Sequence, residues 1–445
     1  MQKRKVGIVN IKRKIDTDLL NWKSEKERKP LLIRGARQIG KSYSVRNLGK
    51  VFEYYLELNF EKDERLINIF ERSNDVKQLC NTLALMYNTP IIAGKTLLFL
   101  DEIQISPKAV KTLRYFYEDY PDLHVISAGS LLEFALEDLP MYGVGRIRSI
   151  FMYPLSFDEF LGAIGEDILL DAKKQLSATN SFPDEIHKKT NELLKLFLLI
   201  GGMPKVVAYY AKYKDLLGCA KILKDLLVAY QDDFRKYAKK FPTLQMLEVF
   251  QSIGKQMGGK FNYSKAIASG THRQAKEAVQ MLIMAGLAIP VKHTSANGLP
   301  LGAESTDRKI KLLLLDTGLF QQLNNLDLSE MLLSDNFNAV NKGFIAEQYA
   351  GLELLKSSSC YFPASLYYWQ REKSGSSAEV DYIIQRKSMV LPIEVKSGTQ
   401  GKMQSLRLFL KEKNLPLGVR TSLENFATYD NIEVYPLYAI SLLNE

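Results

Sequence analysis

The sequence predicts a multidomain α/β chain, and three observations carry that expectation. Between residues 30 and 161, short β-rich apolar runs alternate with amphipathic helical stretches, the pattern of a parallel sheet covered by helices on both faces. The first of these strands runs directly into a glycine-bearing loop that ends in Gly-Lys-Ser. From Asn341 to Glu445 the pattern reads helix, three strands, helix and two further strands, which makes a second α/β module.

In chain order, the five expected strands of the first sheet are Pro30–Arg34, Phe52–Asn59, Thr96–Asp101, Leu123–Ser127 and Arg146–Met152. They fill a first domain over residues 1–165. A helical lid or linker over 166–244 follows, interrupted at Gly201-Gly202-Met203-Pro204, a candidate hinge. Residues 245–325 then offer three short helices, Gln245–Gln256, Ser264–Ser269 and Thr271–Gly286, and two strands around the turn signal Asn297-Gly298. Three helices and a hairpin suggest a winged helix. The last module occupies 330–445. With 46% hydrophobic residues, each part has enough apolar side chains for a core.

Composition narrows the function classes. Three scattered cysteines, Cys80, Cys219 and Cys360, give neither a disulfide framework nor a C-x-x-C pair, and four scattered histidines give no zinc pattern. The longest apolar run, Leu196–Met203, is far short of a membrane helix, and residues 1–30 lack the apolar stretch of an export signal. A cytoplasmic chain without a membrane partner is expected. The net charge of +10 is unevenly spread: residues 201–300 carry fifteen basic and six acidic side chains, whereas residues 331–445 carry twelve of each. A local positive block attracts phosphate backbones or acidic surfaces.

The strongest motif is Gly35-Ala36-Arg37-Gln38-Ile39-Gly40-Lys41-Ser42, an unbroken G-x-x-x-x-G-K-[ST] between a strand and a helix. Backbone N–H groups of such a loop and the positive helix end converge on phosphates, which demands glycine at the tight positions. Lys41 would reach the β and γ phosphates, and Ser42 would ligate Mg²⁺. Four apolar residues, Leu97–Leu100, then lead into Asp101 and Glu102. Asp101 would hold the Mg²⁺ shell, and Glu102 would polarise the attacking water. ATP and Mg²⁺ are therefore the expected cofactors. Either motif alone has a bland reading, a chance loop or a solvated acidic turn.

Together these motifs, with an added strand between them, resemble the AAA-type ATPases. More narrowly, residues 10–445 resemble the prokaryotic ATPases, related to the archaeal ATPase group, that couple this domain to a C-terminal domain of unknown function. The residues carrying the resemblance are Pro30 to Gln38, Phe99-Leu100-Asp101-Glu102-Ile103-Gln104 and Tyr153-Pro154-Leu155-Ser156-Phe157-Asp158-Glu159-Phe160. The resemblance implies a P-loop AAA-type core and puts Ser130 of Ala128-Gly129-Ser130 at the sensor position. It makes Arg146 of Gly145-Arg146 a candidate finger for a neighbouring subunit, in competition with Arg148 and with an ordinary exposed strand arginine. It also places Pro204 of Gly202-Met203-Pro204 against adenine, where the plain alternative is a helix break.

The basic middle segment groups Arg235, Lys236, Lys239 and Lys240, and then Lys260, Lys265, Arg273 and Lys276. A helix opening at Thr271-His272-Arg273-Gln274 would present groups for phosphates or base edges, so DNA is an expected partner; a protein contact or a solvated lid is the alternative. In the last module, Asp381, then Glu394 and Lys396 two residues apart on one strand face, resemble the D…E-x-K arrangement of the restriction-endonuclease-like superfamily. That resemblance implies Mg²⁺ on Asp381 and Glu394, Lys396 beside the attacking water, and Glu347 as an additional acid. Two functions remain in view. One couples ATP hydrolysis to DNA binding or processing, and the other is an ATP-dependent protein switch, in which the last domain is catalytically inactive and contacts a protein partner or a second copy.

Overall fold

A computed structural model of the chain describes residues 11–73, 75–130, 132–137, 145–237, 242–268, 270–326, 342–363, 365–372, 378–398 and 403–444. The first sheet contains β1 (Leu31–Arg34), β2 (Tyr54–Asn59), β3 (Thr96–Asp101), β4 (His124–Ala128) and β5 (Arg148–Phe151), in the order β2-β3-β4-β1-β5. All four pairings are parallel. β3 and β4 are buried along their whole length, as a sheet covered on both faces requires. One face packs Leu56, Leu58, Leu98 and Leu100 against Phe70, Leu83 and Phe116. The other packs Ile33, Phe99 and Ile126 into a core that continues through the middle helices to the last residues of the chain.

The break at Gly201–Met203 is a pinned junction between the helices Asp184–Ile200 and Pro204–Tyr213, where a hinge was expected. Leu155 N donates to the Gly202 carbonyl at 2.7 Å, and Gly202 N donates to the buried Asp316 carboxylate at 2.6 Å. A Cβ on Gly202 would lie 2.2 Å from the Leu155 carbonyl oxygen, so only glycine permits this approach. The lid continues as the helix Leu216–Asp233.

The second sheet shows the largest departure from expectation. Its eight strands, in the order β12-β13-β11-β10-β9-β8-β6-β7, join the middle hairpin to the last module. The hairpin is β6 (Ala288–Thr294) and β7 (Ser305–Leu314), and β6 pairs in parallel with β8 (Leu366–Gln370). Then follow β9 (Glu379–Arg386), β10 (Met389–Val395), β11 (Gly418–Ser422), β12 (Ala427–Tyr429) and β13 (Ile432–Pro436). The hairpin is therefore no free-standing wing. Its outer strand ends in the buried run Leu312–Leu314, against which the helix Lys342–Ser357 packs through Gln348 and Gly351. Of the three short helices, Thr243–Lys255 and His272–Met284 form, the latter capped by Thr271 and Gln274. The expected Ser264–Ser269 helix is a 3-10 turn at Tyr263–Lys265, and Ser269 lies outside the described residues. The last module has three strands after its second helix, Gln404–Lys413, not two, because Ala427–Tyr429 forms a short edge strand.

The strip Tyr153–Glu159 docks the last module onto the first domain. Phe157 N donates to Glu353 Oε2 at 3.1 Å, and Lys356 Nζ donates to the Leu155 carbonyl at 2.9 Å. Fully buried Lys173 bridges Asp158 at 2.8 Å and Ser441 Oγ at 2.9 Å. Ser156 and Glu159 form a capping box at the start of the helix Phe157–Ile164.

Candidate active site

The loop Gly35–Ser42 links β1 to the helix Lys41–Gly49. Gly35 (φ +138°) and Gly40 (φ +98°) adopt conformations that side chains avoid, and a Cβ on Gly35 would sit 2.2 Å from the Met152 carbonyl oxygen. Lys41 Nζ folds back on the loop, donating to the carbonyls of Gly35 at 2.8 Å and Ala36 at 2.7 Å. Burial pushes its pKa down to about 8, against the upward pull of Glu102 and Asp101. An arriving phosphate would supply the stronger anionic partner.

Ser42 and Asp101 meet across the site: Ser42 Oγ lies 3.2 and 3.3 Å from the two carboxylate oxygens of Asp101. Asn59, at the end of β2, donates to Asp101 Oδ2 at 3.1 Å. Burial, then Glu102, raise the Asp101 pKa. A hydroxyl and a carboxylate in contact at the start of the loop's helix are the hard oxygen donors Mg²⁺ takes, so these two residues fit that ion. Glu102 occupies the left-handed region (φ +52°) at the strand end. Its Oε2 accepts from Ser130 Oγ at 2.9 Å and from Gln104 Nε2 at 2.6 Å. The motif residue Gly129 makes room for this: a Cβ there would lie 2.0 Å from Gln104 Oε1. Ser130 and Glu102 are thus neighbours.

Four further segments reach the loop. Arg37 is gripped by Asp233, with Nη1 at 2.7 and 2.9 Å from the carboxylate oxygens, and its carbonyl accepts from Tyr230 Oη at 2.8 Å. Arg13 is buried beneath the loop, donating from Nη1 to the Ile39 carbonyl at 2.9 Å, from Nη2 to Tyr153 O at 2.7 Å and from Nε to Glu159 at 2.9 Å. Gly286 approaches so closely that a Cβ there would lie 3.1 Å from Ala36 N. Pro204 also borders the loop, its Cγ 3.6 Å from a Cβ built on Gly40. Gln38 (φ +62°) completes the turn. Arg146 is half-exposed and paired with Glu118 of its own chain, while Arg148 pairs with Glu25 at 2.6 Å. Sequence reasoning gave no role at the site to Arg13, Asn59, Tyr230 or Asp233, and quoted Gln104 only as the end of a motif. Tyr230 and Asp233 had one available signal, their i,i+3 spacing on a helix face.

In the last module Asp381 and Glu394 do come together. Val395 N donates to Asp381 Oδ2 at 2.7 Å, and Glu394 Oε1 lies 2.6 Å from Lys396 Nζ. Near them stands an unforeseen cation, Lys311 of β7, which pairs with Glu347 at 2.8 Å and with Glu379. Burial alone would lower the Lys311 pKa, but Glu347, Asp381 and Glu379 hold it raised. Burial raises Glu347 and Glu394, and Asp381 adds to both. Among the described residues no group of three acid, histidine or cysteine side chains converges on one metal position. As arranged, Glu347 faces the Lys311 ammonium and Glu394 the Lys396 ammonium, so each of these two acids already has a cationic partner. A lysine inside the apolar run Ile310–Leu315 was the visible signal of buried acid partners.

In the middle segment Arg235, Lys260, Lys265, Arg273 and Lys276 are exposed, with Arg273 paired to Glu277 at 2.8 Å. Nothing is described of Lys239, Lys240 or the Lys236 side chain.

The fold and this loop are those of an AAA-type P-loop domain. Residues 27–161 match the family described as an AAA domain. Residues 191–330 and 342–440 match two families described as domains of unknown function, DUF8612 and DUF4143. Among solved structures, the chain is similar to a Walker-type ATPase of Pyrococcus abyssi (TM-score 0.45, 14% identity, covering 71% of this chain and 96% of that one). It is also similar to the Orc1 protein of Aeropyrum pernix in complex with DNA (TM-score 0.30, 12% identity, 73% and 96% covered). No protein of curated function matches the chain. No helix among the described residues is long and apolar enough to cross a membrane.

Proposed function

We propose that the chain is a Mg²⁺-dependent ATPase whose hydrolysis cycle alters the contacts between the first domain and the segment after Gly202. The contact of Ser42 Oγ with the Asp101 carboxylate, at the foot of the phosphate loop, carries this reading. Ser42 and Asp101 would hold Mg²⁺, which would supply positive charge against the negative charge of the phosphates. Gly35 to Gly40 would direct backbone N–H groups at the phosphates, and Lys41 would leave its loop carbonyls for them. Glu102 would take the proton of the attacking water, and Ser130, now its partner, would orient that water or the γ phosphate. Pro204, beside Gly40, would border the adenine. Arg146 would act in a neighbouring copy of the chain only after leaving Glu118. Lys41→Ala should abolish nucleotide binding, and Glu102→Gln should retain binding while stopping phosphate release. Unchanged release in either variant overturns the assignment.

The exposed cations of residues 201–300 support DNA as the partner moved by this cycle. For the last module, the pairing of Lys311 with Glu347 and Glu379 supports the second reading, a catalytically inactive domain that makes protein contacts. Incubating several DNA forms with Mg²⁺, with and without ATP, should bind DNA without cutting it. Cleavage by the wild type that disappears in Asp381→Ala would restore the nuclease.

A further inference from the structure

A loop that binds phosphate through its backbone must keep its carbonyls turned away from the anion, because a planar peptide sends its C=O and N–H in opposite directions. Four carbonyls of this loop are held by side-chain donors. Lys41 takes those of Gly35 and Ala36, Arg13 takes that of Ile39, and Tyr230 takes that of Arg37. Two of these acceptors lose their donor when Lys41 turns to phosphate. The pins from Arg13 and Tyr230 come from outside the motif and remain.

Arg13 belongs to the same packed unit as the loop, through Glu159 and Tyr153 O. Tyr230 does not. It sits on the lid helix Leu216–Asp233, one turn before Asp233, so a single helix face holds both the carbonyl and the guanidinium of Arg37. Tyr230 is 2% exposed, and a buried hydroxyl left without this carbonyl would be unpaired.

We infer that Tyr230 is a positioning residue of the nucleotide site: its hydroxyl fixes the Arg37 peptide in the phosphate-binding orientation, so nucleotide affinity depends on the docking of the helix Leu216–Asp233. This rests on the reading of Gly35–Ser42 as a nucleotide loop. By reciprocity, bound nucleotide strengthens the docking of that helix. The lid thereby responds to the phosphates through one hydrogen bond and one ion pair, without touching them.

The test is Tyr230→Phe, which keeps the ring and removes one oxygen. A single hydrogen bond of about 1 kcal/mol corresponds to a loss of about fivefold in affinity for a fluorescent ADP analogue. KM for ATP should rise by a similar factor with a smaller change in kcat, and the melting temperature without nucleotide should shift little. Amide exchange over residues 216–233 should slow when nucleotide binds the wild type and stay unchanged in the variant. Wild-type affinity together with wild-type protection in Tyr230→Phe overturns the inference. If that variant does not fold, Asp233→Asn carries the same two measurements with the same expected losses. The control is Lys41→Ala. Binding by the wild type but not by Lys41→Ala leaves the site standing whatever Tyr230→Phe does, whereas no binding by the wild type removes site and inference together.

Discussion

His124 shows how far one side chain can be argued. It lies in β4 at the edges of Trp22 and Phe52, with ring centroids 5.6 and 4.7 Å away, and its Nε2 is 3.1 Å from the Lys23 carbonyl. A carbonyl only accepts, so Nε2 carries a proton. Burial, then Arg28, push its pKa down to about 4; Lys23 is a second nearby cation and Asp122 the opposing anion. Between pH 6.5 and 4 the unfolded chain therefore binds a proton that the folded chain refuses, and stability falls as pH falls through that window. His124→Gln should lose less over the same interval. Parallel melting curves for the two proteins between pH 6.5 and 4 would clear the imidazole of this role.

Between helices and strands, the parts that could be read in advance are those written in consecutive residues. Strand, loop and helix around Gly35–Ser42, and the acids ending β3, follow one another in the chain, and all five strands of the first sheet form within two residues of their expected bounds. Arg13, Tyr230 and Asp233 were not legible. Each reaches the loop from a distant segment, and an arginine, a tyrosine or an aspartate on an amphipathic helix reads as surface until its partner is known. Gly202 was legible as a break but not as a contact. Gly202→Ala drives a methyl into the Leu155 carbonyl, so it should destabilise the chain by about 2–3 kcal/mol and lower its urea midpoint, since close-packed backbone cannot yield to it. An unchanged midpoint would mean that the junction is loose after all.

Across the molecule, the expected division after residue 325 was drawn where helices and a hairpin give way to a new α/β pattern, a sound inference from local periodicity. Local periodicity carries no information about which strands pair. The β6–β8 ladder, Val291 with Leu366 through His293 with Tyr368, joins partners more than seventy residues apart. Lys311 repeats the lesson in charge, since it stands on one side of the division and Glu347 and Glu379 on the other. Two families that adjoin along the sequence thus share one hydrogen-bonded ladder. Cutting the chain between them would leave each fragment with a raw, sticky margin and several orphaned charges, so neither should fold cleanly apart from the other.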